Sequence, residues 1–365
     1  MVLRFALALL LLIVLLAYVG VHVFVILPLP LWCRWVAVGL VVLPLVLEVV
    51  AMSRAMNKLP LNVASCVYNV ANKSLIILLY LLLTFVVLDL GRLVHLVPKA
   101  WLHHCVGSSV AIVAVLTCVF IYGSWHYHDK KRVEVALSSA GKLTTPTTLV
   151  LASDLHVGYH NRRADLAKWV DKINAENPDM VLFAGDIIDF SLRPVMEEKM
   201  YEEFRRVKAP MYACLGNHEF YDNLDVAKEF YDKAGIQLLV DTVAVCGDVM
   251  IVGRNDRSDP HRQPLKVLMD KVDNSTLQGK YSVVLDHQPY ELSEAESCGV
   301  DFQFSGHTHR GQVWPISWIT DALYEDSWGP LTKGNTFIYV SSGLGIWGAK
   351  YRIGTQSEYV VAHIN

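Results

Sequence analysis

The hydrophobic pattern changes character near residue 128. Before that point apolar residues run almost unbroken over 5–27, 31–52, 74–97 and 105–124. Crossing a bilayer takes about 20 mostly apolar residues, so four transmembrane helices are expected within residues 1–128. The first run is too long and too uniformly apolar for a signal peptide, and no A-x-A cleavage pattern follows it. A water-soluble bundle fits poorly, because such runs leave no polar face. Beyond 128 the apolar runs shorten. Residues 129–144 are expected to be a linker, and a separate domain is expected over 145–365. TTLVLA at 147–152 predicts a strand, and 163–176 an amphipathic helix with Leu166, Val170 and Ile173 on one stripe. Strands at 180–184 and 211–215 alternate with helices at about 195–207 and 224–234. From 237 onward the chain is strand-rich: QLLVDTVAVC, VMIVG, YSVVL, FQFS, TFIYVSS and EYVVAHI. This alternation predicts an α/β domain.

Composition sharpens the division. Apolar residues make up 53% of the 365, above the usual range for a soluble domain. Residues 1–128 hold seven Lys/Arg and two acids (Glu48 and Asp89), whereas the remainder holds 25 basic and 33 acidic residues. An acidic domain argues against nucleic-acid binding. With four spans, the N-terminus, the 53–73 loop and the C-terminal domain share one side, with Arg4, Arg54, Lys58, Lys73, Lys130, Lys131 and Arg132. That bias predicts insertion in the inner membrane with the domain on the cytoplasmic side. Trp32, Trp35, Trp101, Trp125 and Tyr127 fall at span ends, where interfacial aromatics belong. Asp89 and Arg92, three residues apart, are spaced so that they could pair on one helix face. The seven cysteines form no CxxC, which suggests neither a disulfide framework nor a zinc finger.

The candidate chemistry lies where the short apolar runs end. LVLASDLH ends in Asp154 and His156, VLFAGD in Asp186, MYACLGNHE in Asn217 and His218, VVLDH in His287, and FQFSGHTH in His307 and His309. Strand ends converge in open α/β sheets. D-x-H or G-D alone carries little weight; the ordered series is hard to explain by core packing. Asp186, after a glycine, is placed to bridge two cations. A mixed Asp/His/Asn set suits Mn, Fe or Zn rather than Ca. Two such ions activate water and stabilise the entering and leaving oxygens of a phosphate ester. His218 beside Asn217 is suited to protonate a leaving group. Trp314, Trp318, Trp328 and Trp347 cluster in the late loops. Core packing is their expected role, with an apolar rim for a lipid or nucleobase as the alternative.

This ordered set resembles the calcineurin-like metallophosphoesterase superfamily, and GHTHRGQ at 306–312 resembles its membrane-anchored bacterial branch. The resemblance covers about 145–365. It implies a β-sandwich flanked by helices, so the expected fold class is an N-terminal four-helix transmembrane region followed by an α/β metallophosphoesterase domain. It implies two divalent metal ions. Asp154, His156 and His309 would hold one, Asn217, His287 and His307 the other, and Asp186 would bridge them. His218 would be the general acid, oriented by a nearby carboxylate. Arg310 follows the last ligand and is a candidate contact for a substrate phosphate. The SSGLG run at 341–345 resembles a loop lining the site. The expected activity is hydrolysis of a phosphate ester or pyrophosphate, with a lipid-linked phosphate as one candidate substrate. The competing reading is a membrane transporter or sensor whose phosphoesterase-like domain binds a ligand without hydrolysis.

Overall fold

The computed structural model describes the backbone of residues 2–271 and 279–365, with the side chains of Leu10, 12–271 and 279–365. Contacts divide the chain into two compact units, 1–123 and 124–365. The first unit is helical: α1 (Val2–Ile26), α2 (Leu31–Ala51), α3 (Leu61–Leu93) and most of α4 (Val106–His128). Among the described residues α2, α3 and α4 are long and apolar enough to cross a membrane, while the apolar stretch described in α1 is shorter, Leu12–Ile26. At 1.5 Å per residue α3 is about 50 Å long, well beyond the hydrocarbon core. It begins at Leu61, upstream of the expected span start at 74. Trp32, Trp35, Trp101 and Trp125 are exposed, whereas Tyr127 is buried. Asp89 meets partners on α1: the Tyr18 hydroxyl donates to it at 2.8 Å and His22 Nε2 lies 3.0 Å away. The pairing with Arg92 that the spacing allows gives way to this cross-helix contact, which keeps both polar partners satisfied among apolar neighbours.

The second unit holds twelve described strands in two six-stranded sheets. The first has the order β1 (Lys131–Leu137), β12 (Glu358–Ile364), β2 (Thr147–Ala152), β3 (Met180–Ala184), β4 (Met211–Cys214), β5 (Ile236–Leu238). The second runs β10 (Gly329–Lys333), β11 (Thr336–Val340), β9 (Phe302–Ser305), β8 (Tyr281–Leu285), β7 (Val249–Gly253), β6 (Thr242–Cys246). Leu149, Leu151, Leu182, Leu285, Phe302, Phe304 and Val360 share the core between the sheets. Each fully buried large side chain there contributes about 1.5–3 kcal/mol. The helices α5 (Arg163–Ala175), α6 (Leu192–Glu197), α7 (Tyr201–Phe204) and α8 (Leu224–Ala234) cover the outer face of the first sheet through Trp169, Val170, Phe204 and Phe230. Across the second sheet, α9 (Leu265–Lys271) and α10 (Ser293–Ser297) pack Leu265, Leu268 and Ala295 on Val252 and Val284. Because both sheets are covered on two faces, β3, β7 and β8 are buried at every position. The last helix is α11 (Ile316–Leu323). The result is the α/β domain with two packed sheets flanked by helices.

Several expectations need correction. The stretch 129–144 is no free linker: KRVEVAL forms β1, paired in parallel with β12. Its Lys, Arg and Glu suit an edge strand. The helix expected over 195–207 splits into α6 and α7, since Lys199 turns the chain at φ 50°. QLLVDTVAVC is two strands in different sheets, divided at Asp241 with φ 49°. β10 (GPLTK), absent from the expected strands, pairs with β11 through a turn at Gly334.

Candidate metal centre

β2, β3, β4, β8 and β9 end at one edge of the sandwich, and each releases site residues into the loop that follows. The turns there are tight. Asp154, Asp186 and His307, with His156, His309 and Arg310, adopt left-handed backbone at φ between 45° and 72°. Non-glycine residues at such angles carry strain that the surrounding structure must hold. A side chain on Gly216 would collide with Asp186, so only glycine lets β4 close on β3 at this point. The SSGLG loop is laced to the same turn, with Leu344 N donating to Ser153 O and Gly345 N to Asp154 O, both at 3.0 Å.

Two groups of acceptor atoms converge. Asp154, His156 and His309 form the first, their nearest ligand atoms within 4.8 Å of one another. His156 Nε2 and His309 Nε2 are 3.1 Å apart, and Asp154 Oδ1 lies 3.5 Å from His309 Nε2. Asp186, His287 and His307 form the second. Asn217 Oδ1 joins it, 2.9 Å from His307 Nδ1 and 3.2 Å from His287 Nε2. Asn217 is turned this way because its amide nitrogen donates to Tyr221 at 2.9 Å. Asp186 Oδ2 touches both groups, 3.7 Å from His156 Nε2 and 3.1 Å from His287 Nε2. Its other oxygen accepts from the backbone of His218 at 2.9 Å. All seven expected ligands are thus brought together, and Asp186 lies between the groups.

The chemistry of this donor set suits cations. His287 Nδ1 donates to the carbonyl of Ala184 at 2.8 Å, so its Nε2 lone pair faces a carboxylate and an amide oxygen. Three acceptors at such distances need a cation or a proton among them. In the cation's place, a proton is drawn to His287: burial opposes it, but Asp186 and Asp154 hold its pKa well above the ordinary value. Burial lowers His307 to about 4 and keeps His309 neutral too, the form that ligates a metal.

His218 stands beside the centre, 4.5 Å from His156 between ring centroids. Burial lowers its pKa, yet Asp186 and Asp189 outweigh this and raise it to about 9. The carboxylates around it thus favour its protonated form. Asp189, unassigned from the sequence, is the carboxylate that faces it, 3.5 Å from His218 Nδ1 and 3.3 Å from His156 Nδ1. His160 Nδ1 lies 3.4 Å from its other oxygen. Glu219 is a brace: it accepts from the backbone of Gly216 at 2.8 Å, Ile188 at 3.0 Å and Asp186 at 3.2 Å, and from the Tyr231 hydroxyl at 2.9 Å. Arg352, fully buried, donates to His309 O at 2.6 Å. The signal that finds Asp189 is its spacing, three residues past Asp186 in GDIID.

Arg310 lays its guanidinium 4.1 Å over Trp328. Trp314, Trp318 and Trp347 are 41%, 64% and 47% exposed, so the core role expected for them is wrong. Trp347 and Tyr221 flank His218 instead, at 6.4 and 4.6 Å.

Comparison with known proteins agrees with this geometry. Residues 147–311 match the calcineurin-like phosphoesterase family. An uncharacterized metallophosphoesterase of Helicobacter pylori is 31% identical over 60% of this chain and 59% of its own length. Another from Campylobacter jejuni is 29% identical over 68% of each chain. A transmembrane protein with metallophosphoesterase domain from Danio rerio is 25% identical over 78% of this chain and 69% of its own. The chain carries a calcineurin-like metallophosphoesterase domain. It spans about six tenths of the length of the first bacterial relative. Its long apolar helices and its transmembrane relative point to a membrane protein.

Proposed function

We propose that the chain is a membrane-anchored, dinuclear-metal phosphoesterase or phosphodiesterase that hydrolyses a phosphate ester or pyrophosphate bond. The observation that carries this reading is the Asp186 carboxylate shared by two convergent acceptor groups, with His218 alongside, 3.5 Å from Asp189. Asp154, His156 and His309 would hold one ion, Asn217, His287 and His307 the other, with Asp186 between them. When bound, divalent ions supply Lewis acidity toward the phosphoryl oxygens and lower the pKa of an attacking water. The metals proposed are Mn, Zn or Fe. His218 delivers its proton to the departing oxygen, and Asp189 holds the imidazole in place for that transfer. Arg310 is proposed as a phosphate contact. Residues 1–128 would anchor the domain in the inner membrane with its site on the cytoplasmic side, facing a lipid-linked phosphate.

The test uses the full chain in lipid nanodiscs, stripped of metal and then supplied with Mn, Zn or Mg. Turnover of a chromogenic monoester or diester should return with metal and disappear in Asp186→Asn and His218→Ala. Turnover that persists in both variants would refute the assigned site.

A further inference from the structure

α11 is amphipathic the wrong way round for a packed helix. Its inward side is polar: Ser317 is 6% exposed and Thr320 donates to the carbonyl of Ser317, while Asp321, exposed at the flank, accepts from Ser327. Its outward side carries Trp318, Ile319, Ala322 and Leu323, and the three large residues are 64%, 57% and 70% exposed. At 100° per residue these four occupy one continuous arc. Trp314 extends the patch, its ring 5.4 Å from that of Trp318. Asp321, exposed beside Trp318, borders the arc without entering it. Soluble domains rarely leave such apolar surface to water.

Two further observations say what covers this face. First, only Asp129 and Lys130 separate the end of α4 from β1. Two residues span about 7 Å, so no long linker lies between α4 and the domain's first strand. Second, the composition is that of an interfacial helix, with Trp beside Ile and Leu; indole rings favour the headgroup level of a bilayer. α11 also belongs to the site's wall. Its first turn packs on Gly311, in the turn that begins at the ligand His309, and Tyr324 just past its end lies 6.3 Å from His307.

We infer that α11 is an interfacial helix, seating its Trp318–Ile319–Ala322–Leu323 face in the headgroup region of a phospholipid bilayer. The metal centre's rim is then held at the lipid surface, where a lipid-linked phosphate presents itself. This deepens the proposed function for its substrate class, but the seating of the helix does not depend on catalysis.

The experiment exploits that independence. Full-length protein carrying p-benzoylphenylalanine in place of Leu323 or Trp318 is reconstituted in nanodiscs of phosphatidylcholine and phosphatidylglycerol bearing a fluorescent lipid, and irradiated. The control replaces exposed Glu229 on α8. About tenfold more lipid adduct at 323 and 318 than at 229 is expected for a helix lying in the interface. Equal labelling at all three positions overturns the inference, as does the absence of lipid adduct at 318 and 323. Cross-links from these positions to a second copy of the chain, in place of lipid, also overturn it and assign the face to self-association. Adduct formation needs no turnover. A lipid adduct from an inactive protein would therefore sink the phosphoesterase reading alone, and missing adduct in an active one would sink this inference alone.

Discussion

Asp189 shows how much one buried carboxylate can organise. Three imidazoles surround it, those of His156, His160 and His218. Burial works to raise its pKa, but His160, then His156 and His218, hold it well below the usual carboxylate range. The carboxylate form is therefore favoured. It fixes the ring of His156, so that Nε2 turns to the acceptor cluster, and it holds the proton side of His218 in register. Partners of this kind are worth about 10–100-fold in metal affinity or activity. Asp189→Asn should lower kcat by about that factor while KM changes less. The loss should be larger on an alkyl ester, whose leaving oxygen needs a proton, than on a nitrophenyl ester, whose leaving group does not. Equal losses on the two substrates would reduce Asp189 to a folding role. This residue was hidden in the sequence for a physical reason. The ligands stand out because each ends an apolar strand, whereas Asp189 sits in a loop and acts only through its neighbours. Trp318 and Trp347 misled in the opposite sense: an aromatic in a late loop gives no sign of which way it faces.

At the scale of elements, legibility follows local chemistry. α8 matches its expected limits of 224–234 because Asn223 accepts from Asp225 N and Val226 N and Gly235 closes the helix at φ 74°. β2 and β3 were equally plain, being unbroken apolar runs between turns. β1 and β10 were not, since an edge strand takes charges, Gly and Pro that imitate a loop. The division of 237–246 between two sheets is a tertiary choice, which period-2 patterning cannot express. α5 supplies a prediction at this scale. Asp165 in its first turn pairs with Lys350 at 2.7 Å, with side chains 22% and 14% exposed. Burial raises the carboxyl's pKa, but Lys350 and the backbone of Arg162 outweigh it and leave the value lowered. A lowered folded-state pKa adds stability above the unfolded value of about 3.9 and loses it as pH falls through the folded one. Lys350→Met should therefore destabilise the domain by about 1–2 kcal/mol at pH 7, less than for a fully buried pair. The deficit should close as the pH falls below about 4. Thermal melts of the two proteins across pH 3–8 measure it, and a gap that stays constant with pH would assign the loss to packing.

For the whole molecule, the decisive balance is charge. Residues 129–365 carry 33 acids against 25 bases, and four of the acids, Asp154, Asp186, Asp189 and Glu219, are buried around one centre. Without cations this cluster is relieved by protons: burial raises the pKa of Asp154 and Glu219, and His287 is kept charged by Asp186 against its own burial. Protons are a partial remedy, because each neutralised carboxyl remains in apolar surroundings and the strained turns at Asp154, Asp186 and His309 still have to be held. Divalent ions would neutralise more charge per site and tie those turns together. A ligand at 100 times its Kd stabilises the folded state by about 2.7 kcal/mol, and a domain of this size gains about 2–4 °C for each kcal/mol. Chelation should therefore lower the domain's melting point by about 5–10 °C, and adding Mn or Zn back should restore it. Asp186→Asn, which removes the shared carboxylate, should melt at one temperature with or without chelator. The apolar helices hold no part of this acidic cluster, so helix loss in 1–123, followed separately by circular dichroism, should not respond to the metal. A chelator-insensitive melt in protein shown by elemental analysis to contain two equivalents of metal would mean that the ions bind without bracing the fold, and the strain at the ends of β2, β3 and β9 would need another source of support.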